Sequence, residues 1–422
     1  MAADAPPPSP APPASDVPGT DVPIRAFATL FFTLFLDLVA FGIIIPVLPF
    51  YAESFGASPQ VVTLLSTAFS LAQFVASPVL GRISDRYGRR PVMLVSIAGS
   101  VVSMTVLGLA TALWMVFLAR VLNGFANANV ATAHAYVADR VVPAKRAKYM
   151  GLMGAAIGLG FVFGPVIGGL LSTPGMPYLP FFIAAGLGAL NWLMAWRWLP
   201  ESHRPGKTNT DAGSRSPTTS TWATSWRVLT GTPLGILAMI NFAFFVTFSA
   251  MESTFALAAE AKFGWGPRET GYLFAMIGVV IFLTQGVLVG RAVEKLGERG
   301  TLVVGLCILA AGLTATGMAG TVAVLAVGGA GIAMGNGLIN PTVSALVSRV
   351  STMDEQGLGM GLKSSAAALG RVIGPVGAGF AFELISPGTP FVAGAVVLVV
   401  VCLPLAAWLR SRIDDSDSRT AA

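Results

Sequence analysis

The chain has 422 residues, of which 54% are hydrophobic and 11% charged, about half the charged fraction of an ordinary soluble domain. An aqueous fold would leave too much apolar surface uncovered, which excludes a soluble catalytic domain and points to the bilayer as solvent. The net charge of +6 would suit a nucleic-acid partner, but the placement of the basic residues excludes that reading too.

Residues 1–25 carry many prolines and the acidic Asp4, with neither a basic start nor a short apolar stretch. They read as a disordered cytoplasmic tail rather than a cleavable signal peptide. Twelve apolar runs then follow, near 26–50, 61–81, 91–110, 112–137, 148–171, 178–199, 233–258, 270–291, 300–319, 321–347, 358–385 and 388–409. A bilayer core about 30 Å thick needs roughly 20 apolar residues per helical span, so each run is long enough to cross. A barrel would instead show alternating segments of about ten residues. The expectation is an all-α membrane protein with 12 transmembrane helices. Residues 410–422 read as a second cytoplasmic tail.

Of the 26 lysines and arginines, all but Lys262, Arg268 and the intramembrane Arg120, Lys363 and Arg371 fall in loops on one side or in the tails if the chain starts inside. The positive-inside rule therefore predicts a multi-pass protein of the inner (plasma) membrane with both termini cytoplasmic. Cys307 and Cys402 lie inside predicted spans, and nothing in the spacing suggests a disulfide, a zinc site or a redox pair. No Walker loop or nucleophile elbow is present, so neither ATP hydrolysis nor another enzymatic activity is expected.

The longest hydrophilic break, 200–232, is rich in Ser, Thr, Gly and Pro and reads as a cytoplasmic linker. It separates two six-helix halves, 26–199 and 233–409. Landmarks repeat across it: Phe55, Gly56 and Pro59 recur as Phe263, Gly264 and Pro267; Gly81 and Gly88 as Gly290 and Gly297; Gly164 and Pro165 as Gly374 and Pro375. Parallel repeats of this kind place a binding cavity between the halves near the bilayer midplane and predict alternating access.

Between spans 2 and 3 lies GRISDRYGRRP, with Gly81, Asp85, Arg86, Gly88, Arg89 and Arg90. Gly88 permits a tight reversal, Asp85 can sit at a helix N-terminus, and the arginines supply donors across the inner face, which together read as an inner latch. A merely basic loop would explain the arginines but not the Gly and Asp spacing. In the second half GRAVEKLGERG keeps the glycines, with Glu294 in place of Asp85. Span 5, GLMGAAIGLGFVFGPVIGGLL, repeats small residues every fourth position and carries Pro165, a face that lets another helix approach closely.

An ionisable group at mid-bilayer costs at least about 2.5 kcal/mol on insertion scales, so it marks a pathway. Asp37 falls near the middle of span 1, Arg120 in the outer half of span 4, Glu252 in the outer part of span 7 and Arg371 in the middle of span 11. Asp37 and Arg120 are expected to pair, and Glu252 to be a buried acid without an evident neighbour. Lys363 is expected to snorkel toward the cytoplasm. His134 reads as a packed or hydrogen-bonded residue. Asn123, Asn127, Gln285, Asn336 and Asn340 can line the cavity or bond between helices.

LDLVAFGIIIPVLPFYAESFG at 36–56, the loop GRISDRYGRRPVML, ARVLNGFANANVATAHAYVADRVVPAKRAKYMG at 119–151, GFVFGPVIGGLL at 160–171, LPESH at 199–203 and FGWGPRETGYL at 263–273 together resemble the major facilitator drug:proton antiporters, in particular the tetracycline-efflux-like branch. The resemblance implies a latch in which Asp85 lies near a second-half helix terminus and Arg86 or Arg89 pairs with Asp139. It implies proton coupling through Arg120 and an antiporter motif at Gly160, Gly164, Pro165, Gly168 and Gly169. The expected function is proton-driven export of small amphipathic compounds by a single chain in the lipid bilayer, with the proton gradient as energy source and no cofactor. A specific metabolite or lipid exporter, a symporter, or a non-transporting membrane receptor or assembly factor are the alternatives. Tetracycline exporters of this branch carry further acids in spans 3 and 9, whereas 91–110 and 300–319 contain none, which argues against tetracycline as the cargo.

Overall fold

A computed structural model describes residues 24–127, 129–173, 175–202, 232–351 and 356–409. The expected tails, apart from Ile24 and Arg25, and most of the expected linker lie outside the described residues. The described chain is helical almost throughout: α1 (Ile24–Glu53), α2 (Pro59–Tyr87), α3 (Arg89–Gly108), α4 (Leu113–Ala126), α5 (Asn129–Arg140), α6 (Pro143–Leu171), α7 (Leu179–Trp198), α8 (Pro233–Phe263), α9 (Pro267–Leu283), α10 (Val289–Gly317), α11 (Val322–Val350), α12 (Gln356–Leu384) and α13 (Thr389–Val397). Five-residue π turns, Thr284–Leu288 and Leu398–Cys402, follow α9 and α13.

Local chemistry sets the helix ends. Proline opens the first turn of α2, α8 and α9, where its missing N–H costs nothing. The Thr232 hydroxyl accepts from Gly235 N at 3.1 Å to cap α8. Gly264, at φ 65°, ends that helix in the left-handed conformation, which glycine adopts without a Cβ penalty.

Ten helical runs among the described residues are long and apolar enough to cross a membrane. Two features account for the difference from twelve. The fourth span is broken into α4 and α5, of 14 and 12 residues, each too short alone. The run Pro267–Gly317 is 51 residues long, about 76 Å if straight and more than twice the bilayer core. It is interrupted at Gly297, at φ 69° and ψ 171°, the counterpart of the reversal at Gly88, at φ 107° and ψ 160°. Val95, Trp114, Met318, Val327 and Val400 are more than 60% exposed. Apolar side chains turned outward in such number are what a lipid-facing wall requires and what a water-facing surface avoids.

The same helix-on-helix contact occurs twice. α6 lies on α1 so closely that a Cβ on Gly164 would sit 2.7 Å from Gly42 Cα, and one on Gly168 2.6 Å from Ile43 O. α12 lies on α8 in the same way, a Cβ on Gly374 reaching 3.1 Å from Ala250 N. Without a hydrophobic drive between helices in lipid, such glycine faces gain dispersion contact by letting backbones approach.

Two seams join the first six spans to the last six, α6 against α9 and α2 against α12. Both close at one face of the bundle and part toward the other. Along the first, a Cβ on Gly271 would lie 2.5 Å from Pro165 O and one on Gly278 3.1 Å from Phe161 O; one on Gly158 would be 3.4 Å from Phe282, and those on Gly154 and Gly151 would meet nothing within 4 Å. Along the second, Glu383 Oε2 accepts from Ser58 Oγ at 3.2 Å and Gln60 N at 3.3 Å, and Thr67 Oγ1 donates to Val372 O at 3.4 Å; Cβ atoms on Gly361 and Gly357 would meet nothing. The closed end is the face of Glu53, Glu260 and Glu383. The open end is the basic face bearing the Gly81–Pro91 loop.

Candidate functional site

The centre of the bundle holds three of the predicted intramembrane charges in one group. Glu252 of α8, Arg120 of α4 and Arg371 of α12 line a small cavity at the closed end of the bundle interior. Glu252 shares that cavity with Arg371 and Arg120, one carboxylate among two guanidinium groups from different helices. Arg120 is 4% exposed; its guanidinium carbon stands 4.5 Å above the Phe69 ring, and Nε donates to Leu65 O at 3.5 Å. Arg371 stands 5.0 Å over the Phe245 ring. Aromatic faces attract the cations electrostatically and hold them without a direct ion pair.

Arg371 also reaches a second cavity of about 440 Å³ deeper toward the basic face, lined by Asp37, Asn123, Asn127, His134 and Gln73. Its apolar wall is aromatic: Phe41 lies 5.8 Å from Phe69 and 5.9 Å from Phe161, centroid to centroid. Asp37 Oδ2 accepts from Asn129 Nδ2 at 2.5 Å. The expected Asp37–Arg120 pair is therefore corrected: Asp37 is bonded to the first residue of α5, and the counter-charge facing Arg120 is Glu252. Glu252 in turn is not without neighbours. Helical periodicity places a residue on a face but says nothing of which neighbouring helix that face meets.

Lys363 does not snorkel. Its ammonium is held by Ser344 Oγ and by Asn340 Oδ1 at 3.4 Å, both on α11, beside a third cavity of about 530 Å³ that also takes in Gln285. Asn336 lies on α11 one turn before Asn340.

At the basic face Arg89 is the centre of the loop cluster. Its guanidinium bonds Asp85 at 2.5 Å and Asp139 at 3.0 Å and donates to Ser84 Oγ at 3.1 Å. Of the two arginines expected to meet Asp139, it is Arg89; Arg86 instead lies along the Tyr87 ring at 5.3 Å. Asp85 is 67% exposed and bonded to Arg89 rather than to a second-half helix terminus, which fits a bundle parted at this face. Gly160, Gly164, Pro165 and Gly168 pack on α1, and Gly169 faces Pro267 O, 2.6 Å from where its Cβ would be.

One residue of this cluster escaped residue-by-residue reasoning. Glu201 accepts from the backbone N–H of Arg89 at 2.8 Å and of Arg90 at 3.1 Å, a carboxylate seated on the positive end of α3. Arg90 ties the same corner by donating to Trp196 O at 2.6 Å, and Tyr136 OH donates to Pro200 O at 2.9 Å. A Cβ on Gly88 would collide with the Glu201 carboxylate, a second reason, besides its φ, for glycine there. Its signal in the sequence was a place in the LPESH stretch just past span 6, which carried the resemblance but assigned the acid no role. Glu201→Ala is expected to lower the stability of the purified protein by about 1–2 kcal/mol, with Glu201→Gln recovering part of the loss, read from denaturation in detergent.

The sequence profile of the Major Facilitator Superfamily matches residues 30–281 and 237–422, and the chain belongs to that superfamily. Tetracycline resistance protein, class C, of Escherichia coli is 30% identical over 403 residues, covering 92% of this chain and 98% of the other. Multidrug resistance protein 2 of Bacillus subtilis (strain 168) is 29% identical over 384 residues, covering 89% and 92%. The crystal structure of the human organic anion transporter MFSD10 (TETRAN) superposes with a TM-score of 0.69 at 25% identity, covering 91% of this chain and all of that one. Within the superfamily the chain sits in the tetracycline-efflux-like branch of drug exporters, which are secondary transporters and not enzymes.

Proposed function

We propose that this protein is a proton-coupled exporter of small amphipathic compounds, working as a monomer in the plasma membrane with both termini and the basic face in the cytoplasm. In this reading 26–199 and 233–409 are the two bundles that rock about the central cavity, 200–232 links them, 1–25 and 410–422 are tails, and the proton gradient drives the cycle without a cofactor. The described conformation is then the inward-facing one, closed outside through Glu383 and open to the cytoplasm.

The observation that carries the proposal is the cavity around Asp37. A carboxyl group on the wall of a cavity that opens to one side exchanges protons with that side alone. Its proton affinity changes when the surroundings switch between wet and desolvated. The aromatic wall of Phe41, Phe69 and Phe161 supplies apolar surface for a drug-sized molecule next to that acid. Names of relatives support export: two are resistance proteins against tetracycline and against several drugs.

The test is uptake of radiolabelled amphipathic drugs into inverted vesicles, where export becomes accumulation. An inward-acid pH gradient should raise accumulation and a protonophore should abolish it. Equal uptake with and without the gradient would overturn proton coupling.

A further inference from the structure

The cavity between α6, α9 and α11 lies apart from the Asp37 pocket and has a composition of its own. One wall is α6 at Gly151, Gly154, Ala155 and Gly158, small residues throughout, and at the first two a Cβ would meet nothing within 4 Å. Phe282, 42% exposed, forms an apolar edge. The opposite wall is polar: Gln285, Asn340 and Ser344. α9 leaves α-helical geometry at this place, and the π turn Thr284–Leu288 brings both Gln285 and Gly286 to the cavity. Such turns insert a residue at a cost in regularity and occur mostly at functional positions.

Lys363 of α12 reaches this polar wall through Ser344 and Asn340. Both partners are neutral acceptors. Among the described residues no carboxylate comes within 4.0 Å of it, whereas Arg89 has two, Asp85 and Asp139, and Arg349 has Glu298. An ammonium offers three donors, and among the described residues two are used. Drawing a lysine head inward among neutral groups, when its stem could have carried it to the aqueous face, opposes its solvation unless an anion completes the shell.

We infer that Lys363, with Asn340, Ser344 and Gln285, forms a recognition site for the anionic group of an amphipathic ligand whose apolar body lies on the small-residue wall of α6. This deepens the export reading and rests on it for its role: the cargo class becomes amphipathic anions, entering from the open face. A lipid headgroup and a soluble carboxylate or sulfonate share the same chemistry. A fixed cation is disfavoured, because it would meet Lys363 with no acid between.

The test uses the full chain in phosphatidylcholine nanodiscs and two radiolabelled probes of equal apolar body, naphthalene-2-sulfonate and 2-naphthyl-trimethylammonium. The wild type is expected to bind the sulfonate at least roughly tenfold more tightly, the scale of one charge-assisted hydrogen bond in a partly desolvated site. Lys363→Gln should erase that preference by weakening the sulfonate alone, and Lys363→Arg should keep it. A wild type that does not prefer the sulfonate overturns the inference without any variant, as does a Lys363→Gln protein whose preference is intact or whose two affinities fall together. Phosphatidylglycerol added to the nanodisc distinguishes the sources: competition assigns the site to a lipid headgroup, lack of it to a soluble anion, and both uphold an anion site. Gradient-driven uptake of the sulfonate into inverted vesicles is scored separately. Lys363-dependent binding without uptake defeats the export reading and leaves the site; uptake indifferent to Lys363 does the reverse.

Discussion

Asp37→Asn is expected to reduce gradient-driven accumulation in inverted vesicles to that of vesicles lacking the protein, while equilibrium binding of the drug survives. Asn has nearly the shape of Asp, and its amide oxygen can still accept from Asn129, whose Nδ2 lies 2.5 Å from Asp37 Oδ2. The cavity wall and the α1–α5 contact are therefore preserved. What is lost is the ability to take up and release a proton inside the membrane, where each charged group costs about 2.5–3.5 kcal/mol and is retained for a task. Accumulation equal to wild type would remove Asp37 from the coupling path. Glu252→Gln is a harsher change: it leaves Arg120 and Arg371 lining one small cavity with no acid between them, so its transport has to be read beside its folding yield.

The second large effect concerns the α1–α6 contact. Gly164→Ala places a methyl 2.7 Å from Gly42 Cα and from Val39 O, backbone atoms that move only if the helices separate. A cost of about 1–3 kcal/mol is expected, the range for overpacking a filled interior, measurable as a lowered midpoint of thermal unfolding in detergent. Gly151→Ala on the same helix meets nothing within 4 Å and should be within about 0.5 kcal/mol of wild type. If both variants lost stability equally, the loss would stem from the helix itself and not from the contact.

The spans were legible because a bilayer imposes a length and a polarity that any apolar run reveals, and the doubling was legible because Gly164–Pro165 and Gly374–Pro375 perform the same packing task. The break between α4 and α5 was not. The stretch Phe125–Val130 carries two Ala–Asn steps in a row, and nothing in their composition separates a polar helix turn from an interruption. Arg120 facing Glu252, Asp37 meeting Asn129 and Lys363 reaching Ser344 all depend on rotations and tilts of neighbouring helices, which no single run of residues records. Glu201 was hidden for a different reason: a capping carboxylate acts on the backbone of a segment more than a hundred residues away, and backbone N–H groups leave no mark in a sequence.

The interruption in the fourth span also makes α5 a separate rod of 12 residues. Asn129, its first residue, is bonded to Asp37. Asp139, its penultimate one, is paired with Arg89. The two attachments are about 15 Å apart along a helix that keeps its length. The same short rod thus ties the carboxylate of α1 to the corner that holds α2 and α3 together, while α4 stands on the far side of the break.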